Sequence, residues 1–294
     1  MKFNWKHLIQ TSIIISSLNG TASHSATLEI SAVVSPSACA TSGTIMDAGE
    51  DCRTTPSVWE AVIYEMGLCT AHPFGASKDG VTFDASTCTV TYTDTSPSAV
   101  DIVDSVGGTL ALTGTSSMPG IGTYGYPYLV MGPSFTVAGS FTNSTTGDTY
   151  RSAASNTVST SAASNVSSTD NLYDFDGTDA TCSSGYLDAV VTGGTMDGFV
   201  TDSSLVRSES TDVDVSNYCS NQDRLIAVMN LTTPFSVTAK TYSVQFNFLL
   251  TDFGVQFIDD DNDGNDNEVE DSDSIPSSFA SAPFSGYFTI LNAD

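Results

Sequence analysis

Short runs of β-branched and aromatic residues, separated by Gly, Ser, Asp and Pro, constrain the fold of this chain most. The clearest run is 241–250 (TYSVQFNFLL), in which every second residue from Tyr242 to Leu250 is large and apolar. A period of two with large apolar residues requires a buried face, so this run predicts a central core strand. The other predicted strands are 27–34, 58–66, 81–83, 88–93, 109–113, 123–131, 134–141, 186–192, 224–231, 235–239, 253–258 and 286–291.

Helical periodicity is scarce between these runs, and turn-forming residues recur at short intervals. The sequence therefore predicts an all-β protein, an antiparallel β-sandwich or jelly roll. Residues 27–294 suit a single large β domain. The Ser/Thr-rich stretch 142–170 is predicted to be a long exposed loop or a weakly ordered insertion, and it is the place where an internal division would fall.

The N-terminus has the order of an export signal. Lys2 and Lys6 precede the apolar stretch 8–18, which is too short to span a bilayer, and small residues follow over 20–26. This order predicts a signal peptide at 1–26 and a secreted or cell-surface protein. No later stretch reaches the length of about 20 apolar residues that a membrane helix needs.

Six cysteines fit an exported chain, in which an even number favours disulfides. None forms a C-x-x-C pair, so the usual zinc and thioredoxin signatures are missing. Six cysteines allow about 15 pairings, and spacing alone does not select one of them. Because short loops close most readily, we expect sequential pairing. The expected bridges are Cys39–Cys52, Cys69–Cys88 and Cys182–Cys219.

The net charge is −26, from 34 acidic and 8 basic residues. Such a field repels nucleic acid and anionic membranes, so neither is an expected partner. Two compatible explanations account for the negative charge: solubility in a salty medium, and a surface that binds divalent cations.

Residues 259–270 (DDDNDGNDNEVE) match the twelve-residue pattern D-x-[DN]-x-[DN]-G-x₅-E at each specified position. Calcium takes oxygen ligands in flexible geometry, alternate residues can turn inward, and Gly264 permits the sharp bend. The predicted cofactor is Ca²⁺, with an ordering role, because a bound cation removes the repulsion within a carboxylate cluster. The predicted ligands are Asp259, Asp261, Asp263, Asn265, Asn267 and Glu270.

This loop resembles the EF-hand calcium loop over 12 of the 294 residues. The flanks differ from that family: FGVQFI before the loop is strand-like, and Ile275-Pro276 after it does not favour a helix. Asp266 stands where the family usually has an apolar residue that pairs with a second loop. The chain is therefore similar to proteins with a lone calcium loop between strands. The alternative is a solvated acidic turn.

Tyr124, Tyr126 and Tyr128 alternate within GTYGYPYLVMG and could line one face. Aromatic rows can stack on sugar rings, so these residues are candidates for binding surface glycans. Core or edge packing is the alternative, and Pro127 is compatible with an edge strand.

The sequence has no G-x-S-x-G, H-E-x-x-H or P-loop motif, so no catalytic residue is assigned and a non-enzymatic function is preferred. His72 is interpreted as a turn residue and not as a catalytic base. An exported glycoside hydrolase stays open, with Glu60 and Glu65 as the pair to test, because that chemistry needs two carboxylates.

The alternating run Thr27–Val34, followed by Pro36 and Cys39, resembles the start of pilin-type subunits of chaperone–usher systems, including the spore-coat-U-like group. This resemblance implies β-strand addition between copies, whereas a strand paired within its own sheet is the simpler arrangement. The sequence therefore predicts an extracellular, calcium-stabilised structural or surface protein, either a filament subunit or an adhesive module. A carbohydrate-binding module and an exported glycosidase are the alternatives.

Overall fold

The structure is a computed structural model. It describes residues 10–14, 22–28, 38–39, 52–143, 147–175, 182–191, 193–214, 218–258, 276–282 and 284–293. These residues form 23 strands and three short 3₁₀ turns, at Ala85–Thr87, Val103–Ser105 and Ala154–Asn156. The prediction of an all-β fold is confirmed.

The strands of the first half of the chain are β1 Gln10–Ile14, β2 Ala22–Leu28, β3 Cys52–Thr54, β4 Pro56–Ala61, β5 Ile63–Cys69, β6 Cys88–Thr93, β7 Val100–Asp101, β8 Thr109–Leu110, β9 Thr115–Ser116, β10 Gly122–Tyr124, β11 Tyr126–Met131 and β12 Ser134–Thr142. Those of the second half are β13 Thr149–Ser152, β14 Val158–Ser159, β15 Ser168–Asn171, β16 Gly185–Val191, β17 Gly194–Thr201, β18 Arg224–Leu231, β19 Phe235–Val237, β20 Thr241–Leu249, β21 Val255–Ile258, β22 Ser278–Ser281 and β23 Ser285–Ala293.

Three large sheets form the body. A seven-stranded sheet has the order β16-β17-β18-β11-β5-β6-β9, and each neighbouring pair in it is antiparallel. A five-stranded sheet has the order β2-β23-β20-β1-β8, with β1 antiparallel to β20 and parallel to β8. A six-stranded sheet has the path β14-β13-β12-β4-β7, with β15 also paired to β12. Smaller sheets are β22-β21-β3 and β10-β19.

The main core lies between the seven-stranded sheet and the other sheets. A small apolar cavity is lined from one side by β11 and β18 and from the other by Phe246 of β20 and Phe288 of β23, which places these sheets face to face. Trp59 of β4, 1 % exposed, has its ring centroid 5.3 Å from that of Phe135 and 5.8 Å from that of Phe248. The molecule is therefore sandwich-like, with aromatic residues joining its layers.

The alternation in 241–250 places large apolar side chains in the core, as predicted. Val244, Phe246, Phe248 and Leu250 are each no more than 1 % exposed, while Tyr242 is half-buried. β20 lies between β23 and β1, so it is a central strand, as predicted. Full burial of each such side chain contributes about 1.5–3 kcal/mol.

All three predicted disulfides are present: Cys39–Cys52, Cys69–Cys88 and Cys182–Cys219. The closed loops span 13, 19 and 37 residues, in keeping with the expectation that short loops close most readily. The bridges indicate an oxidising environment. Among the described residues, no helix is long and apolar enough to cross a bilayer.

The prediction of one continuous strand at 58–66 is wrong. The chain leaves β4 at Ala61 and enters β5 at Ile63, so Val62 separates strands of two different sheets. β4 lies in the six-stranded sheet and β5 in the seven-stranded sheet, so this run does not form one strand.

The stretch 142–170 is predicted to be a long exposed loop or a weakly ordered insertion, but much of it forms paired strands. β13 and β15 both pair with β12, and β13 continues to β14. Tyr150 is 4 % exposed and stacks on Phe141 at a centroid distance of 5.2 Å. Tyr150 of β13 thus attaches part of this Ser/Thr-rich segment to the core.

The N-terminal strand pairs within its own chain, at Ala22–Leu28 along β23. Residues 29–34 of the predicted 27–34 strand lie outside the described part of the chain. Gln10–Ile14, inside the predicted export signal, pairs with Gln245–Leu249 of β20.

Candidate functional site

The six predicted calcium ligands, Asp259, Asp261, Asp263, Asn265, Asn267 and Glu270, lie outside the described residues. The strands on both sides of the loop are described, however. β21 ends at Ile258 and pairs antiparallel with β22, with Ile258 opposite Ser278. Ser277 N–H donates to the Ile258 carbonyl at 3.0 Å. The acidic segment therefore connects two paired antiparallel strands, and the nearest described elements on both sides of it are strands and not the helices of an EF-hand.

The base of this hairpin is buried in the protein. Val255 and Phe257 are 0 % exposed, and Phe279, opposite Phe257, is 1 % exposed. Phe141 of β12 meets Phe257 edge to face, with centroids 5.0 Å apart. Alternate apolar residues on β21 create this inward face, as the prediction of a strand at 253–258 required.

The other edge of β21 pairs with β3, which begins at the disulfide-bonded Cys52. Arg53 of β3 is 5 % exposed, and its guanidinium carbon lies 4.7 Å from the centroid of the Phe253 ring. Burial lowers the pKa of Arg53, and the charge of Asp252 opposes that effect. A buried cation thus lies in the strands that hold the acidic loop, where it favours negative charge nearby.

The three candidate tyrosines do not form one exposed row. Tyr124 is 5 % exposed and donates its hydroxyl hydrogen to the Gly120 carbonyl at 2.8 Å. Tyr128 is 1 % exposed, and its hydroxyl donates to Glu65 Oε1 at 2.6 Å. Tyr126 is half-buried. Tyr124 belongs to the main core and Tyr128 to a second core on the opposite face of the seven-stranded sheet.

The candidate glycosidase pair is distributed over two sheets. Glu60 is on β4, opposite Thr136 and Asp101. Glu65 is on β5, in the seven-stranded sheet, where it accepts the hydrogen bond from Tyr128. Burial, together with the neighbouring Glu65 charge, raises the pKa of Tyr128 strongly. Glu65 therefore has a structural partner in the fold.

Sequence analysis missed a buried polar network on the outer face of the seven-stranded sheet. Asp197 of β17 is 0 % exposed and accepts from His72 Nε2 at 3.1 Å and from Lys78 Nζ at 3.1 Å. It also accepts from the Asp188 backbone N–H at 2.7 Å and from Asn230 Nδ2 at 2.5 Å. Lys78 Nζ donates to the Asp188 carboxylate as well. Residues from a loop and three strands meet at this one carboxylate.

Hydrogen bonding selects the tautomer of neutral His72 and lowers the pKa of Asp197. The Phe74 N–H donates to His72 Nδ1 at 3.1 Å, so the neutral ring carries its hydrogen on Nε2 and donates it to Asp197. Burial opposes ionisation of Asp197, but hydrogen bonds from His72, Asp188, Asn230 and Lys78 outweigh burial and lower its pKa to about 2. Both nitrogens of His72 are occupied by protein groups, which fits a structural role better than that of a catalytic base.

The backbone around this network is unusual. Lys78 has φ 61° and Asp188 has φ 59°, both in the left-handed region that non-glycine residues seldom adopt. Asp188 lies where the register between β16 and β17 shifts. The hydrogen bonds of His72 and Lys78 to Asp197 hold the loop containing residues 72–83 against the sheet. This loop covers a second core that includes Phe74, Phe83, Tyr128 and Phe199. No sequence motif marks the network, because His72 and Asp197 are 125 residues apart.

In the described part of the chain, no group of three or more His, Cys, Asp or Glu side chains is placed to hold a metal ion. Comparison of the chain with protein-family models, with curated proteins and with solved structures finds no match in any of the three.

Proposed function

We propose that this protein is an extracellular, calcium-stabilised structural or surface protein, and that residues 259–270 bind Ca²⁺ between two strands. The observation that carries the proposal is the combination of a complete twelve-residue calcium pattern with a hairpin whose base is buried at Phe257 and Phe279. A fixed base keeps the two ends of the loop together, which lowers the entropy lost when the ligands converge on an ion.

Electrostatics supports the same function. Ten acidic residues lie within 252–273, in a chain of net charge −26. Carboxylates gathered in one loop repel each other, and a divalent cation converts this repulsion into attraction. Three disulfides favour an oxidising compartment, and extracellular fluids supply calcium at concentrations that weak sites can use.

Calorimetric titration and thermal unfolding of the full chain, with and without Ca²⁺, test this function. We expect heat of binding and stabilisation of about 2.7 kcal/mol when free Ca²⁺ reaches about 100 times Kd. Mg²⁺ should act more weakly, because it prefers a rigid octahedral shell and retains water. Asp261→Ala should remove both responses, and Asp104→Ala, which alters an exposed carboxylate outside the loop, should leave them unchanged. If the unaltered chain shows neither heat nor a shift at millimolar Ca²⁺, the calcium function is wrong.

Within this class, the topology favours a filament subunit. β1 lies inside the predicted export signal, and it covers one edge of β20 along Gln245–Leu249. Removal of residues 1–26 would uncover that edge, and a long apolar strand without a partner is a template for another strand. Residues 27–34 of a second copy have the alternation needed to add there.

Electron microscopy of a chain that starts at Thr27 tests the filament form. We expect polymers, and a matched chain that starts at Ser35 should remain monomeric. Monomers from both chains would contradict assembly through this strand and would leave the calcium measurement unaffected.

A further inference from the structure

β16 forms one edge of the seven-stranded sheet. It pairs along one side with β17, over the register Gly185–Phe199 to Val191–Gly194. No strand in the described part of the chain lies along its other side. The backbone of an edge strand offers N–H and C=O groups that can extend the sheet by one more strand.

Several side chains of β16 are apolar and exposed, although the strand also contains Asp188 and a register shift. Its sequence is GYLDAVV, with neither lysine nor proline, the residues that commonly protect exposed edges. Tyr186 is 51 % exposed, Leu187 41 % and Val190 64 %. Val191 belongs to the main core, so Val190, its neighbour in an alternating strand, faces the opposite side. A strand with apolar residues on both faces is normally covered on both sides.

The chain immediately before β16 is anchored to neighbouring segments. Cys182 is bonded to Cys219, and Ser184 Oγ donates to the Ser208 carbonyl at 2.8 Å. The Val200 N–H donates to the Ser184 carbonyl at 2.9 Å. A strand fixed in this way loses little conformational entropy when it gains a partner.

Charge identifies the kind of partner. At this edge Asp188 and Asp197 share the single ammonium of Lys78, so this group keeps one formal negative charge. The side chain of Asp188 is 64 % exposed. Antiparallel pairing of β16 with a second copy would bring two Asp188 side chains close together in a dimer of two strongly acidic chains, which is unfavourable. A cationic strand would meet complementary charge instead.

We propose that β16 is a docking site for an extended basic segment of another protein, which adds as an eighth strand to the seven-stranded sheet. Apolar residues of the segment cover Tyr186, Leu187 and Val190, and its cations lie near Asp188. This site is separate from the calcium loop and from the edge of β20.

Binding of two synthetic peptides, Ac-KVKVKVK-NH₂ and Ac-EVEVEVE-NH₂, to the full chain tests the proposal. The measurement is fluorescence anisotropy in EDTA, so that it is independent of the calcium function. We expect the lysine peptide to bind and to weaken as salt rises, and the glutamate peptide not to bind. Backbone amides of β16 should become protected from hydrogen exchange when the lysine peptide is present.

Val190→Lys places a cation on the edge and should weaken binding of the lysine peptide by at least about tenfold. Ile121→Lys is the matched control, since Ile121 is 74 % exposed and lies outside β16; it should bind like the unaltered chain. Unchanged melting temperatures would show that both variants are folded. Equal affinity of the two variants, equal affinity of the two peptides, or no binding of either peptide would overturn the proposal. Association of the chain with itself through β16 would also overturn it.

Discussion

The two faces of the seven-stranded sheet are stabilised by different physical means. On the inner face, Leu129 and Met229 line a small apolar cavity together with Phe246 and Phe288 of the five-stranded sheet. The outer face combines a smaller apolar core with the fully buried carboxylate of Asp197 and its donors. Stability of the inner face therefore depends on filled volume, whereas the outer face depends on a complete set of hydrogen bonds and charges.

This difference implies different tolerance to substitution. An apolar core accepts another apolar side chain of similar volume, because nothing is left without a partner. The buried Asp197 carboxylate accepts hydrogen bonds from four donor groups. A neutral side chain of the same shape cannot accept from all of them, and the buried donors left without an acceptor would lower stability. The predictions below set one face against the other.

The largest effect is expected in the main core that the inner face covers, for Phe248→Ala on β20. Phe248 is 0 % exposed and packs against Trp59 and Phe284. The cavity should lower the free energy of unfolding by about 3–5 kcal/mol, measured by urea denaturation. Phe248→Leu should cost under about 1.5 kcal/mol. If Phe248→Ala and Phe248→Leu lowered the free energy of unfolding equally, the stability of this core would not depend on filled volume.

On the outer face even an isosteric change is expected to be costly. Asp197→Asn keeps the shape but removes the charge that faces Lys78 and His72. The free energy of unfolding should fall by about 2–3 kcal/mol in the same denaturation experiment. Asp104→Asn, at an exposed carboxylate, is the control and should be nearly neutral. An Asp197 variant as stable as this control would contradict the role given to the network.

Gly67 tests how closely the outer core packs. The Tyr128 ring crosses Gly67 to reach Glu65, and a Cβ at Gly67 would lie 2.4 Å from Tyr128 Cε1. Gly67→Ala should therefore cost about 1–3 kcal/mol through overpacking. Gly108→Ala, where the nearest atom to an added Cβ is at 3.4 Å, should have little effect on the melting temperature. Equal melting temperatures would mean that Tyr128 can move aside.

The smallest effect on stability is expected only at acidic pH. The pKa of Asp197 is about 2 in the folded protein, against an ordinary 3.8. A lowered folded pKa contributes stability above the unfolded pKa, and this stability is lost as pH falls from about 4 through 2. The loss should not exceed about 2 kcal/mol, and it should disappear in Asp197→Asn. Denaturation curves at pH 5, 3 and 2 measure it; the same acid loss in both proteins would assign the effect to other carboxylates.

Much of the secondary structure follows from the sequence because it depends on near neighbours. The strand predicted at 224–231 is β18 with the same bounds, and the run at 241–250 is buried on the predicted face. The three disulfides were also predictable, since each closes a short loop between cysteines adjacent in sequence. The calcium pattern at 259–270 remains a prediction, supported by the hairpin on which it lies.

Tertiary structure decided which strands became neighbours and which polar groups met. Alternation assigns side chains to two faces but does not say which sheet covers each face, so the break at Val62 and the burial of Tyr124 and Tyr128 were not predictable. The pairing of His72 with Asp197 depends on a loop folding across the sheet, and no local pattern encodes that contact. Local sequence periodicity therefore determined many of the strands, and short loop length determined the disulfide bridges. The buried network and the exposed edge at β16 arise from long-range packing, which only the complete fold determines.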